Sequence, residues 1–303
     1  MDMALSGKTN PPKRQFLEPI SPITSRDNRW LKRFRAALAG EENKDGAVGV
    51  EGVRLVEAAL GSGLAVEALL VSASGERHLK RLSASIPPGL PILRTTDRLF
   101  SGVADTQTPQ GVAALVRPRI AKLEDALRGI ALLVVLAGVQ DPGNVGTILR
   151  AAEAFGASGA ATCSAGGGTA NPLAPKALRA SAGSALRLPI VRGLSCAILL
   201  AELRVSGVKL YAGVADGDER VGGIRGSAPP LVRPWEADWK SPVALWIGNE
   251  GAGLDDEIVR ACDARVSIPQ RDAGTTNGVE SLNAAMAGSV LLYEAMRQRG
   301  GVT

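Results

Sequence analysis

The sequence predicts an α/β protein built in two parts, and three observations support this. Short apolar runs alternate with segments of helical period along nearly all of the 303 residues. Apolar residues make up 45% of the chain and aromatics only 3%, so a sizeable core is available and it must be aliphatic. From Ala131 onward strand-like runs and helical stretches alternate, which implies a mainly parallel sheet covered on both faces. Ligands of such sheets bind beyond the carboxyl ends of the strands, so function is sought in the loops there.

Residues 1–22 are polar, rich in proline and lysine, and lack the apolar stretch of a signal peptide; they read as a disordered lead-in. Next, Arg26, Arg29, Lys32, Arg33 and Arg35 are opposed locally only by Asp27. Interleaved with them, Trp30, Leu31, Phe34, Ala37 and Leu38 recur at helical spacing. This is an amphipathic helix whose basic outer face is either a solvated surface or an RNA-contacting one. A strand follows at 46–52, a helix at 53–60, a strand at 66–72 and a helix at 76–85. A strand at 91–94, a helix at 96–104 and a last strand at 111–116 complete a small α/β domain, residues 23–116. Residues 117–128 form a linker that opens on Arg117-Pro118-Arg119 and carries a short helix at 123–127. The second unit, residues 129–303, has strands at 131–139, 159–163, 186–191, 209–215, 243–248 and 265–268. Its helices lie at 145–155, 175–182, 195–205, 255–261 and 281–299.

Three strand ends carry unusual loops. Asp141-Pro142-Gly143-Asn144 makes a turn after the first strand, and Asn144 is well typed to cap the next helix. Arg150 lies nearly two turns further along that helix, rotated well away from the cap, among the small residues Ala151, Ala152 and Ala154. Gly248-Asn249-Glu250-Gly251-Ala252-Gly253 follows an apolar strand, and its glycines let a ligand approach the backbone. Ser281 is typed to cap the final helix, whose Ala284, Ala285, Ala287 and Gly288 suit close packing against another helix or a bound cofactor.

Several function classes lose support. The glycine spacing is not the G-x-G-x-x-G of a dinucleotide fold, and no G-x-x-x-x-G-K-[ST] phosphate loop occurs. His78 is the only histidine, so no histidine-based triad can be completed around another residue. The dispersed carboxylates form no pair for glycoside chemistry. Cys163, Cys196 and Cys262 are scattered without metal-ligand spacing, so neither a disulfide framework nor a metal site is expected and a reducing cytoplasm fits. No apolar run approaches the roughly 18–20 residues that span a bilayer. A net charge of +5 permits an anionic partner without proving one.

Taken in order, three segments resemble the motifs of the SpoU/TrmH family of RNA ribose methyltransferases. They are Asp141-Pro142-Gly143-Asn144-Val145-Gly146-Thr147-Ile148-Leu149-Arg150, then Trp246-Ile247-Gly248-Asn249-Glu250-Gly251, then Val266-Ser267-Ile268-Pro269 with Val279-Glu280-Ser281-Leu282-Asn283-Ala284. The resemblance implies a SPOUT fold for residues 129–303, a parallel α/β sheet with a C-terminal trefoil knot. It implies that residues 23–116 are an RNA substrate-binding domain related to a ribosomal-protein fold. The stretches that carry this second likeness are Val50-Glu51-Gly52-Val53 and Thr108-Pro109-Gln110-Gly111-Val112. Asn171-Pro172 and Ala180-Ser181-Ala182-Gly183-Ser184 also fit the family. By the same resemblance Asn144, Arg150, Glu250, Ser281 and Asn283 are the catalytic residues, and S-adenosylmethionine is held near Gly248, Ile268 and Leu282, largely by backbone groups. The connection at 270–278 is longer than the family usually has.

The implied reaction is methyl transfer to a ribose 2′-hydroxyl, which RNA has and DNA lacks. Ribosomal RNA is the first choice of substrate and transfer RNA the second. An RNA-binding relative without catalysis is the alternative of a different class. Arg150 would act as base or as organiser of the adjacent phosphate, and the second role is favoured because guanidinium stays protonated. Family members are homodimers through the catalytic domain, so a homodimer is expected here.

Overall fold

The computed structural model describes residues 22–41, 46–164, 168–216, 228–271 and 281–300. The expected disordered lead-in, apart from residue 22, lies outside the described residues, as does the 270–278 connection apart from residues 270 and 271.

The first domain begins with α1 (Arg29–Leu38), where the Asn28 side chain accepts from the Trp30 N–H and Leu31, Phe34, Ala37 and Leu38 are buried. It continues through β1 (Val48–Glu51), α2 (Val53–Gly61), β2 (Ala65–Ser72), α3 (Glu76–Leu82), β3 (Ile92–Thr95), α4 (Asp97–Ser101) and β4 (Val112–Arg117). The strands form one sheet in the order β1-β4-β2-β3. β4 is antiparallel to both neighbours, and β2 and β3 are parallel. Side chains alternate across a strand, and β2 shows the consequence. Leu70 faces a core with Leu31 and Phe34 of α1, whereas Leu69 and Val71 face α2 and belong to the core that continues into the second domain.

After a short α5 (Leu123–Ala126), the second domain runs β5 (Leu132–Ala137), α6 (Pro142–Ala154), β6 (Gly159–Ser164), α7 (Pro175–Ala180), α8 (Ser184–Arg187), β7 (Ile190–Ser195), α9 (Cys196–Val205) and β8 (Lys209–Val214). It ends with β9 (Leu231–Val232), β10 (Val243–Ile247), α10 (Asp256–Ala261), β11 (Ala264–Ser267) and α11 (Ala284–Gln298). The seven strands lie in the order β7-β6-β5-β10-β8-β11-β9, and every pairing is parallel. Both faces are covered, as expected of such a sheet. Leu132, Val134 and Leu245 pack with α6 and α11, while Leu133, Val135 and Trp246 pack with α9 and α10. Arg299 pins the end of α11 to the starts of β5 and β10. Its guanidinium donates to the carbonyls of Trp239 (2.6 Å), Ile130 (2.7 Å), Ala131 and Ser241 (both 2.9 Å).

Two expectations need correction, and one strand was not foreseen. The strand expected at 186–191 starts only at Ile190, because residues 184–187 form α8 and Pro189 has no N–H to give a ladder. The two-residue β9 was too short to leave a pattern. Cys163 and Cys196 are paired in a disulfide with Cα atoms 5.3 Å apart. Their separation of 33 residues concealed this, but parallel pairing of β6 with β7 sets Cys163 opposite Leu194, two positions from Cys196. Burial, reinforced by nearby Asp263, pushes the remaining thiol, Cys262, up to about 12, so it behaves as an inert core residue.

No helix among the described residues is long and apolar enough to cross a membrane. The tightest helix contact is between α6 and α7 at Gly146. A Cβ there would stand 2.3 Å from the Ala177 carbonyl oxygen and 2.6 Å from the Ala180 Cβ. Alanine favours a helix interior over glycine by about 1 kcal/mol, but two packed backbones cannot yield cheaply. Gly146→Ala is expected to cost about 1–3 kcal/mol net, read as a lower urea midpoint; an unchanged or raised midpoint would contradict the contact.

Candidate functional site

The carboxyl ends of β5, β8, β10 and β11 come together at one edge of the second sheet, and residues after β5 and β10 meet Asn283 there in one hydrogen-bonded network. Helix α6 is capped by Asp141, whose carboxylate accepts from the Asn144 N–H at 3.2 Å. Asn144 is therefore not the cap that its residue type suggested. Pro142 takes the first helical position, where no N–H is needed, and the Asn144 side chain is left available for other contacts. Likewise Asn283, not Ser281, caps α11: its Oδ1 accepts from Ala285 N at 2.9 Å and Met286 N at 3.3 Å.

These two shifts place three side chains in a row. Asn283 Nδ2 donates to Asn144 Oδ1 at 3.1 Å, and Asn144 Nδ2 donates to Glu250 Oε1 at 3.0 Å. Glu250 also accepts the N–H groups of Gln140 and Asp141, both at 3.1 Å. Burial works to raise the Glu250 carboxyl, but the donors from Asn144 and the backbone outweigh it and hold the group below its ordinary value. Both amides are fixed in orientation. Asn283 must turn its oxygen toward backbone donors, and the carboxylate can only accept, so Asn144 must turn its nitrogen toward Glu250.

Asn249 ties the same loops from beneath. Its Nδ2 donates to the Gly138 carbonyl at 3.0 Å, and its Oδ1 accepts from Gly251 and Ala252, both at 2.9 Å. Thr169 fixes the far side, with its hydroxyl accepting from Gly138 N at 2.9 Å and donating to the carbonyl of Leu136 or Cys163. Sequence reasoning singled out neither as a site residue. Asn249 lies within the glycine-rich motif and could have been found there, whereas Thr169 left no signal.

Beside this network opens a cleft, at the carboxyl ends of the strands. Gly248, Ile268, Leu282 and Ser281 all line it, with Gly213, Val214, Ile247 and Leu291. Among its described lining residues Glu250 is the only charged one. Arg150 is not drawn into the network; it stands exposed on α6, about 9 Å along the helix axis from Asn144.

The basic helix divides. Arg26, Arg29, Lys32 and Arg35 are exposed. Lys32 pairs with the exposed Asp27 at 3.2 Å and Arg35 Nε donates to the Gly102 carbonyl at 3.3 Å. Arg33 is half-buried, pairs with Glu67 at 2.7 Å, and lies over the Trp30 ring at 5.2 Å. Arg33 thus packs the helix onto its sheet as well as contributing charge.

The chain matches known proteins along almost its full length. Residues 131–293 match the model of the SpoU rRNA Methylase family, and residues 41–114 match that of the MRM3-like substrate binding domain. A 23S rRNA (guanosine(2553)-2'-O)-methyltransferase of Bacillus subtilis is 32% identical over 275 residues, covering 90% of this chain and 98% of that protein. A solved rRNA methyltransferase from Sinorhizobium meliloti is 31% identical, with a TM-score of 0.74 over 92% of this chain and 98% of that one. The SpoU methyltransferase AviRb from Streptomyces viridochromogenes, solved in complex with AdoMet, is 29% identical, with a TM-score of 0.73 over 91% of this chain and all of the other (100%). With motif-bearing segments after β5, β10 and β11 and this likeness across both domains, the chain belongs to the SpoU rRNA methylase family.

Proposed function

We propose that this protein transfers a methyl group from S-adenosylmethionine to a ribose 2′-hydroxyl of ribosomal RNA. The observation that carries the reading is the hydrogen-bonded row Asn283–Asn144–Glu250 at the mouth of the cleft. The cleft suits this cofactor. The sulfonium is a cation, and the described lining holds no basic side chain and one carboxylate, Glu250. Gly213, Gly248, Gly251 and Gly288 bring backbone rather than side chains to the surface. When bound, the cofactor supplies an electrophilic methyl on positively charged sulfur.

The chain's own groups orient the acceptor. The locked Asn144 carboxamide keeps one N–H and one lone pair beyond those spent on Glu250 and Asn283, so it can take a ribose hydroxyl without reorganising. Glu250 braces the loops by holding two backbone N–H groups. Ser281, in the cleft wall beside Leu282, is placed to contact cofactor or ribose. Arg150, exposed and outside the network, suits an adjacent phosphate better than the proton of the hydroxyl. The strand order, with β10 returning between β5 and β8, supports the knot that the family likeness implies.

A homodimer is part of the same reading. Along α11 and its approach, Leu282, Met286, Val290 and Tyr293 form an exposed apolar stripe at helical spacing. Tyr293 extends that stripe toward α6 by an edge contact with Phe155 at 5.8 Å. Light scattering should give twice the 31.3 kDa of one chain; a monomer at tens of micromolar would count against a homodimer.

The basic face is proposed to hold RNA phosphates. Replacing Arg26, Arg29 and Lys32 together by alanine should weaken RNA binding and make the slope of log K against log salt less negative by about 2–3. If affinity and slope both stay put, the helix is a solvated face only.

The central test is methyl incorporation from labelled S-adenosylmethionine into ribosomal and transfer RNA, followed by mapping of 2′-O-methyl sites. Arg150→Ala should lower turnover on the order of a hundredfold while cofactor affinity and fold persist. Arg150→Lys should recover little, because lysine lacks the planar fork that can hold a phosphate at two points. Label appearing in neither RNA would leave an RNA-binding protein without catalysis, and normal turnover of Arg150→Ala would remove that residue from the mechanism.

A further inference from the structure

Three family-like stretches remain without a role in the cleft: Val50-Glu51-Gly52-Val53, the loop around Thr108-Pro109-Gln110-Gly111, and Ala180-Ser181-Ala182-Gly183-Ser184. They meet at the seam between the two domains. On the RNA-binding side the buried Glu51 carboxylate accepts the N–H of Asp105 at 2.8 Å, the N–H of Thr106 at 3.3 Å and the Thr106 hydroxyl. Gln110 Oε1 accepts the Val53 N–H at 2.8 Å, which ties the second stretch to the first. These bonds hold Asp105 at the surface facing α7. There Arg179 of α7 pairs with it, Nη1 to Oδ2 at 2.5 Å.

Beneath that pair the contact is close. Gly183, at φ 87°, has so little room that a Cβ would stand 2.6 Å from the Ala58 Cβ of α2. Gly40, at φ 75°, is as close to Pro175, the first residue of α7, with 2.8 Å from its Cβ position to Cδ. The buried Ser181 donates to the Leu178 carbonyl at 2.9 Å and shapes the turn between these contacts. The seam is continuous with the catalytic helix, because α7 lies against α6 at Gly146, between Asn144 and Arg150. Lys176 of the same α7 pairs with Asp141, the cap of α6, at 2.5 Å. Within the linker Ile120 is 89% exposed, whereas Leu123 and Ala126 are buried against the second domain.

We propose that Arg179 is a positioning residue for methyl transfer: its ion pair with Asp105 sets the pose of the RNA-binding domain on α7, and α7 carries that pose to Asn144 and Arg150 on α6. The proposal rests on the methyltransferase reading above. RNA gripped by one domain must present its ribose to a side chain on the other. A misplacement of about 1 Å at the reacting atoms can cost a hundredfold in rate. An ion pair this exposed contributes little to global stability, so its loss changes pose before it changes fold.

The test uses the full chain with Arg179→Asp, Asp105→Arg and the double charge swap. Each single variant should lose about tenfold or more in kcat for methyl transfer to RNA. The KM for RNA should change little, because the basic face of α1 is untouched, and S-adenosylmethionine affinity should not change. The double variant should recover to within about threefold of the wild type, as coupled partners do. Trypsin should cut the linker at Arg119 and Lys122 faster in each single variant and at the wild-type rate in the swap. Single variants at wild-type kcat, or a swap no better than its worse parent, would overturn the proposal. Should the wild-type chain methylate no RNA, the functional reading fails separately. The trypsin comparison then still decides whether this pair docks the domains, and equal cutting rates in all four proteins would remove that docking as well.

Discussion

The placement of β10 between β5 and β8 is the constraint on which the site depends. This strand comes late in the chain yet lies in the middle of the sheet, and Val243, Ala244, Leu245 and Trp246 have no exposed surface. A parallel ladder on each side fixes its direction and register, and a slip of one residue would turn Trp246 to the opposite face. Its end therefore delivers Asn249 and Glu250 beside the end of β5, where Gly138, Gln140 and Asp141 receive them. With β11 parallel to β8 and α11 packed on α6, Asn283 arrives at the same edge.

The forces that hold the two halves of this arrangement differ in size. Around Glu250 each donor meets a carboxylate, and hydrogen bonds to charged groups contribute about 1.5–3 kcal/mol before solvent screening reduces them. The folded pKa of this group lies below its unfolded value. Its contribution is therefore present above the ordinary carboxylate range and is lost as pH falls through the folded value. At the domain seam the Arg179–Asp105 pair is more than a third exposed on one side and about a third on the other, and such pairs contribute about 0–1 kcal/mol. The loops around Glu250 are tied by three donors to its carboxylate at once. Beneath the Arg179–Asp105 pair the domains are joined by close glycine contacts at Gly183 and Gly40 and by a buried apolar core that the two share.

Most elements were legible because their signals are local. The aliphatic runs that became β5, β8 and β10 and the helical periods of α1, α6 and α9 depend on residues within a few positions of one another. The three loop motifs were visible for the same reason. Caps were less legible: Asp141 and Asn144 are both good capping types, as are Ser281 and Asn283, and only the path of the chain selects between them. Short elements such as β9 and α8 carry too few residues to show a period.

By itself, the sequence determined an aliphatic two-part α/β chain, the strand ends where chemistry is sought and the residue types available there. Tertiary structure alone decided which of those residues meet. Asn283, Asn144 and Glu250 form one row while Arg150 stands apart on α6, and Cys163 finds Cys196 across a parallel pair. Arg179 reaches Asp105 across the domain seam. The physical reason is that hydrogen bonds and ion pairs act over about 3 Å. The partners here are separated by tens to more than a hundred residues, and their meeting is set by strand order, which no local pattern encodes.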